Sequence, residues 1–542
     1  MQIYNFLKKY IKIYLMSIVL LVLTSIVAGT ISMYGTYVIG NFIDILIRDS
    51  SIQSIYKFAL LLAVLSVLSM AISYISYFFN SKTNLKMSNK ITLDVIEHYQ
   101  DISIYDTYDT EKVYLSGRIS ADSNTVTSFC LTLMQTLIVK IVALIISYLY
   151  LLYVDLWFAV AFLFVMLVYV FAYFMFKKIL YIKGFTYKEK SAEYINAINE
   201  QISFIRYIQI NVIQKVFIGR FKLSFVDLYR NGMNFQKVAN LYNVIDSSIL
   251  SLSNVILFIL GGIRVIEHTM TIGQFTVVLG FSGIIVSCIR YFFGLGQSFQ
   301  DCKISVDRII DIMSIDQPMN GTILVDNVRK ITLKNVVISF NQFIVVRGFS
   351  CELVIGNMYL LCGQNGCGKS SLINVIIGLN RKYSGQILYD NVDLMDCDTL
   401  SLRKNNFAVL EQSLHFPKGS IVEYISNTNE KKYCENDILS LAKKIDKQTF
   451  FPLFVELLDS DIGDDKKMLS GGEKQKIEIL RVLLKNSRIM VFDEPTSNLD
   501  PKSRDAFYAY LSKIKSNKII IVVSHNVEEQ HNFDHIVDIE KN

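Results

Sequence analysis

The sequence predicts a multi-domain membrane protein, an all-α transmembrane half of six helices followed by an α/β domain. Three observations carry that prediction. Hydrophobic residues make up 52% of the 542 residues and charged ones only 19%, below the ~25% usual in soluble domains. The long charge-poor stretches all lie before residue 300, whereas all five prolines lie after residue 317. Beyond a linker-like run, Ile315 to Thr322, short β-like runs alternate with helical segments, the pattern of an α/β fold.

The same composition excludes other classes. Disorder, collagen and a disulfide-stapled secreted scaffold need more Gly and Pro, or less aliphatic and aromatic content. The eight cysteines are scattered, without a CxxC pair, so reduced thiols are expected. The net charge of +6 is too weak over this length to call for a nucleic-acid partner.

Along the chain, Lys8, Lys9 and Lys12 precede Ile13 to Ile43, which carries no charge and is too long for the core of a signal peptide. Six spans are expected at about 13–43, 58–81, 123–154, 156–176, 241–264 and 269–299, each able to cross the roughly 20-residue thickness of a bilayer. The long segments after the second and fourth spans are polar to mixed, and the later one is rich in Lys and Arg. By the positive-inside rule these segments and both termini are cytoplasmic. Apolar residues recur there at helical spacing, as in Tyr194, Ile198, Ile202, Ile205, Ile208 and Val212, so the membrane helices should extend into the cytoplasm. Lys140, Asp246 and Arg290 lie in or beside spans, where ionisable groups are costly. A substrate-facing role and snorkelling or pairing between helices both remain open for them. The expected division is 1–314 for the membrane domain, 315–329 for a linker and 330–542 for the second domain.

The second domain carries the chemistry. The apolar run Met358 to Cys362 leads into Gly363-Gln364-Asn365-Gly366-Cys367-Gly368-Lys369-Ser370 and then a helical stretch opening at Ser371. This is GxxxxGK[ST] in its strand–loop–helix context. Glycines let backbone N–H groups approach phosphate oxygens, Lys369 neutralises charge, and the Ser370 hydroxyl is placed for Mg²⁺. Cys367 reads as a small filler. A second apolar strand, Ile489 to Phe492, ends in Asp493-Glu494, which suits Asp493 to the metal and Glu494 to polarising a water.

Three further motifs make a resemblance specific. Leu469-Ser470-Gly471-Gly472-Glu473, then Asp493 through Asp500 (DEPTSNLD), then Ser524-His525 resemble the ATPase of the ATP-binding cassette (ABC) transporter family, in its order and spacing. The resemblance covers nearly the whole chain and is strongest over 330–530; in the membrane half it rests on Ile104 to Asp122, Glu200 to Phe221 and Thr271 to Gln274. It implies ATP and Mg²⁺ as cofactors and a head-to-tail dimer in which one subunit's Ser470, Gly471 and Gly472 close over the ATP of the other. It further implies a γ-phosphate contact for His525 and a site-coupling loop at Asp500. Glu473 stands where the family more often has glutamine. The metal- and water-contacting glutamine falls on Gln412 when counted from Gly419, or on Glu411 when counted from Phe416, and Gln412 is preferred. The adenine-stacking tyrosine position falls near Gln342, leaving Phe340 or Phe343 to serve. Lys466 replaces an expected glycine just before the signature.

The resemblance thus implies a half-transporter in a bacterial cytoplasmic membrane, an ATP hydrolase coupled to export, paired with a second copy or with a degenerate partner. Loop helices near 105–113 and 208–217 would transmit the motion. No cysteine-peptidase domain precedes the first span, so leader cleavage is not expected. Peptide or hydrophobic small-molecule export comes first, with lipid or lipid-linked glycan flipping next, and an ATP-gated channel or regulator as the rival class. A soluble DNA-associated ATPase with a similar signature is excluded by the six spans.

Overall fold

A computed structural model of the chain describes every residue except 1, 49–51, 103–111, 318–319, 341–342, 365, 415, 417–418, 430, 459–460, 463–468, 525–526 and 541–542. For residues 2–5, 48, 112–118, 297, 340, 429, 461–462 and 527–528 it describes the backbone alone. The chain divides into two compact units, one of residues 1–99 and 111–314, the other of 100–110 and 315–542.

The first unit consists of helices α1 (Gln2–Arg48), α2 (Ile52–Gln100), α3 (Lys112–Val154), α4 (Leu156–Ser203), the short α5 (Ile205–Asn211), α6 (Gln214–Ile266) and α7 (Ile272–Met313). All except α5 are long and apolar enough to cross a membrane. With no proline to interrupt them they run on; the 48 residues of α4, at about 1.5 Å per residue, far exceed a hydrocarbon core of roughly 30 Å. The extension predicted for the basic loop is therefore present as the distal halves of α4 and α6. Between them the chain turns at Val212, in the left-handed region with φ 55°. The loop helix expected near 208–217 is α5, a turn and the start of α6; its counterpart near 105–113 lies almost wholly outside the described residues.

Helix ends are tied down by polar contacts. The Asp155 carboxylate accepts from the Trp157 amide to cap α4 and pairs with Arg264 at 2.6 Å. Thr271 and Gln274 form a capping box on α7, and Asp44 of α1 accepts from the Thr271 hydroxyl (2.6 Å) and the Gly273 amide (2.7 Å). Any side chain at Gly273 would run into Gly40 and Asp44, so α1 and α7 approach closely here. Gln135 of α3 accepts from Asn80 of α2 and donates to Ser25 of α1 and Ser76 of α2. Such bonds join helices where lipid offers no competing partner.

The second unit begins with an antiparallel sheet, order β2-β1-β4-β5, built from β1 (Lys330–Phe340), β2 (Phe343–Val354), β4 (Ser384–Tyr389) and β5 (Val392–Asp393). A parallel sheet, order β11-β3-β10-β9-β6, contains β3 (Met358–Cys362), β6 (Phe407–Leu410), β9 (Ile489–Asp493), β10 (Ile519–Val523) and β11 (His535–Asp538). A small pair, β7 (Gly419–Ser420) and β8 (Asp461–Ile462), completes the strands. The helices are α8 (Lys369–Ile376), α9 (Thr399–Asn406), α10 (Ile421–Asn429), α11 (Glu435–Ile445), α12 (Phe451–Leu457), α13 (Gly471–Lys485) and α14 (Pro501–Ile514).

Strands β9 and β10 are apolar at almost every position because both faces are buried, as in parallel sheets generally. Ile489, Val491, Ile519 and Ile521 face one core with Leu372 of α8 and Phe349 of β2. The alternate residues Met490, Phe492, Ile520 and Val522 face a second core with Ile479 of α13 and Phe507 of α14. Within the predicted linker, Val325 and Val328 are buried in the first of these cores.

Candidate active site

Parallel register brings the sequence-distant motifs to one edge. Val523 at the end of β10 lies opposite both Leu361 of β3 and Asp493 of β9, and Leu410 of β6 lies opposite Phe492. The loops after Cys362, Leu410, Asp493 and Val523 therefore emerge together at the carboxyl ends of the strands, where open α/β sheets bind ligands.

After β3 the chain forms a glycine-rich turn into α8. Gly368 caps that helix with φ 96°, and a Cβ there would lie 2.7 Å from Val345 and 2.8 Å from Val346 of β2. Glycine is thus required by backbone and by packing. Lys369 is buried and its Nζ donates to the Gly363 and Gln364 carbonyls, at 2.8 and 3.0 Å. The ammonium is held inside its own loop, ready for phosphate oxygens. Gly366 has φ 85°, Cys367 packs against the first core, and Ser371 follows in the first turn of α8. Asn365 lies outside the described residues.

Ser370 Oγ donates to Asp493 Oδ2 at 3.2 Å, bringing together the two groups assigned to Mg²⁺. Among the described residues no group of three His, Cys, Asp or Glu side chains could hold a metal alone. A hydroxyl and one carboxylate suit a hard cation that takes its remaining oxygens from phosphates and water. Beside this pair, Gln412 Nε2 donates to Glu494 Oε2 at 3.0 Å. Glu494 itself has φ 50°, unusual for a non-glycine residue. Its N–H donates to Val523 O at 3.0 Å and its carbonyl accepts from Gln475 Nε2 at 2.7 Å.

The signature residues open α13. The Ser470 hydroxyl accepts from the Glu473 amide (3.3 Å), and the Glu473 carboxylate accepts from the Ser470 amide (2.7 Å), a reciprocal capping box. Glu473, in the place of a more usual glutamine, thus closes the box with a charge suited to a helix N-terminus. Leu469 packs against the second core, and a Cβ at Gly472 would sit 2.9 Å from the Asn498 carbonyl oxygen. Asp500 caps α14 by accepting from the Ser503 hydroxyl (2.6 Å) and amide (2.9 Å), and it meets Lys476 at 3.3 Å. The Ser503 hydroxyl above all, with the amide and the nearby lysine, holds its carboxyl down at about 2.

Other predicted residues are less fully placed. His525 and Lys466 fall outside the described residues, and Phe340 is described by its backbone alone, paired in register with Phe343. Phe343 is 79% exposed at the head of β2, an open ring available for stacking. In the membrane unit Arg290 of α7 pairs with Asp246 of α6 at 2.5 Å, and Lys140 of α3 donates to Ser287 Oγ of α7 at 3.0 Å.

Two residues of the site were not singled out from the sequence. Gln475 occupies the buried stripe of α13 together with Glu478, Ile479 and Val482, and a polar residue on an apolar stripe was the available signal. Glu529 is a buried carboxylate that accepts from Thr496 Oγ1 (2.9 Å), Tyr508 OH (2.7 Å) and Ser524 Oγ (2.7 Å). Burial, with Glu529 adding to it, drives the Tyr508 phenol well above its ordinary range. Glu529 ties the loop after Glu494 to the end of β10, and nothing local in the sequence marks it.

Residues 18–289 match the ABC transporter transmembrane region family, and residues 346–497 match the ABC transporter family. An ATP-dependent lipid A-core flippase of Haemophilus influenzae (strain 86-028NP) is 27% identical over 326 residues, 59% of this chain and 55% of that protein. Those of Pasteurella multocida (strain Pm70) and Aliivibrio fischeri (strain ATCC 700601 / ES114) are also 27% identical, over 58% and 60% of this chain and 55% and 57% of their own lengths. The chain thus spans about half the length of the curated relatives it matches.

Proposed function

Because this chain belongs to the ABC transporter family, we propose that it is one half of an ATP-driven exporter whose two copies complete two ATP sites. The observation that carries the catalytic part is the Gln412–Glu494 contact at 3.0 Å beside the Ser370–Asp493 pair. A carboxylate aimed by an amide next to a metal position is the arrangement that activates water for attack on a γ-phosphate. Bound Mg²⁺ would be held by Ser370 and Asp493 and would offset charge on the phosphates.

The protein's own groups then divide the work. Loop amides and Lys369 bind the triphosphate, Glu494 accepts the proton of the attacking water, and Gln412 orients Glu494. Phe343 or Phe340 stacks on adenine, and His525 contacts the γ-phosphate. Ser470, Gly471 and Gly472 close over the nucleotide of the second copy, with the amino end of α13 facing its γ-phosphate. Closure turns the membrane cavity outward and hydrolysis resets it.

The substrate we propose is a lipid or lipid-linked glycan, supported by relatives that are named lipid A-core flippases, ahead of the peptides and hydrophobic small molecules that the sequence alone put first. Sealed proteoliposomes test the whole reading. ATP-dependent movement of a labelled lipid between leaflets against its gradient is expected, and Glu494→Gln should abolish it while ATP still binds. Near-normal turnover by Glu494→Gln would remove Glu494 as the base. Passive flux merely opened by ATP would favour a channel.

A further inference from the structure

Every polar atom of the Gln475 side chain is spent on one loop. Its Nε2 donates to the Glu494 carbonyl at 2.7 Å. Its Oε1 accepts from the Asn498 amide (3.1 Å), Asn498 Nδ2 (3.1 Å) and Ser497 Oγ (3.4 Å). The residue is 3% exposed, so water cannot replace these bonds when they break. From the same helix, Gly471 and Gly472 lie against Asn498 so closely that a Cβ on either would touch it, at 3.3 and 2.9 Å. The start of α13 therefore grips the segment 494–498 between its glycine backbone and one buried amide.

That grip fixes the catalytic carboxylate. Glu494 adopts a left-handed backbone that its side chain disfavours, and it is held there from two sides, by Val523 through its N–H and by Gln475 through its carbonyl. A further link between α13 and the residues after this loop is Lys476 to Asp500, whose carboxylate side chain is half exposed and so contributes weakly. Gln475 is the stiff connection.

We propose that Gln475 is a positioning residue that couples the two ATP sites. It ties the aim of Glu494, which serves the nucleotide in its own subunit, to the position of α13, whose amino end closes over the nucleotide of the other subunit. A helix start displaced by one nucleotide thereby shifts the water-activating carboxylate of the neighbouring site through a single buried side chain. This inference rests on the paired-site reading given above.

Full-length protein in nanodiscs, purified as mixed dimers through two different tags, provides the test. In one mixed dimer, Gln475→Met is placed in one protomer and Glu494→Gln in the other, so the only intact Glu494 has lost its Gln475. In the second, both substitutions share one protomer, and the intact Glu494 keeps its Gln475. The first dimer should hydrolyse ATP about tenfold more slowly than the second, the effect of one buried hydrogen bond, at similar KM and melting temperature. In the homodimer, Gln475→Met should also bring the Hill coefficient for ATP down to one. Equal rates in the two mixed dimers, or a homodimer that keeps wild-type cooperativity, would overturn the proposal. Failure of the paired-site reading looks different: single protomers in nanodiscs then hydrolyse ATP at the dimer's rate per chain, and the inference falls with it.

Discussion

Gln412 and Glu494, 82 residues apart in the chain, meet side chain to side chain at 3.0 Å. The meeting follows from register, since Leu410 and Phe492 are partners in adjacent parallel strands and each residue lies two positions beyond its partner. Removing the amide frees the carboxylate without removing the proposed base. Gln412→Ala should therefore lower kcat about tenfold with KM nearly unchanged, while Glu411→Ala stays within about twofold of wild type. Steady-state ATPase kinetics separate the two; the opposite ranking would return the role to Glu411.

Lys369 leads to a prediction in which ligand and stability part company. Its ammonium is bonded to the Gly363 and Gln364 carbonyls, so Lys369→Ala gives up these bonds, at a cost of about 1 kcal/mol, and lowers the melting temperature of the nucleotide-free protein by a few degrees. The larger change is in the response to ATP. A ligand at 100 times its Kd stabilises by about 2.7 kcal/mol, and that rise should vanish in the variant. Thermal unfolding with and without ATP measures both; a variant that still melts higher with ATP would contradict the assignment.

The legible part of this candidate site consists of residues whose arrangement is fixed by local spacing. A glycine-rich turn between a strand and a helix, or an acidic pair ending an apolar strand, has its geometry written within eight or so residues. The six long helices were legible for a related reason, since charge-free length and helical spacing are properties of a single segment. Gln475 and Glu529 were not, because their importance lies in what meets them. Glu529 collects hydroxyls from residues 496, 508 and 524, which only the finished fold brings together. Asp246 and Arg290 stood open between cavity and pairing for the same reason, lying 44 residues apart on different helices.

Lys518 should give the folded second unit a stability that depends on alkaline pH. Its Nζ donates to Asn486 Oδ1 (2.8 Å) and the Ser487 carbonyl (2.9 Å) at the end of α13. Burial, reinforced by the nearby Arg488, lowers its pKa from 10.5 to about 8. The fold thus disfavours the charged form. Below pH 8 the ammonium is present in both states and this penalty is full; between about 8 and 10.5 the folded lysine is neutral while the unfolded one is still charged, so stability rises with pH. At about 1.4 kcal/mol per pH unit the rise is on the order of 2–3 kcal/mol. Lys518→Gln should flatten it, as followed by thermal unfolding between pH 7.5 and 10. A wild-type curve with no rise over that range would refute the argument.

Arg290 and Asp246 pair through Nε at 3.1 Å and a terminal guanidinium nitrogen at 2.5 Å, with Tyr169 donating to the Asp246 backbone carbonyl at 3.2 Å. A charge stranded beside a membrane span is costly, so removing one partner of the pair should cost more than removing both. Asp246→Asn and Arg290→Gln should each lower the melting temperature of the solubilised protein, and the double variant should recover much of the loss. The expected coupling is about 1–3 kcal/mol. Substrate-stimulated ATPase activity, read on the same proteins, decides between pairing and substrate contact. A structural pair predicts that the double variant regains stimulation along with stability. If Arg290 instead contacts substrate, stability returns in the double variant and stimulation does not. Lys140, bonded to the Ser287 hydroxyl, has no carboxylate in that contact. Lys140→Gln should therefore leave the melting temperature nearly unchanged while weakening stimulation by anionic amphiphiles more than by neutral ones.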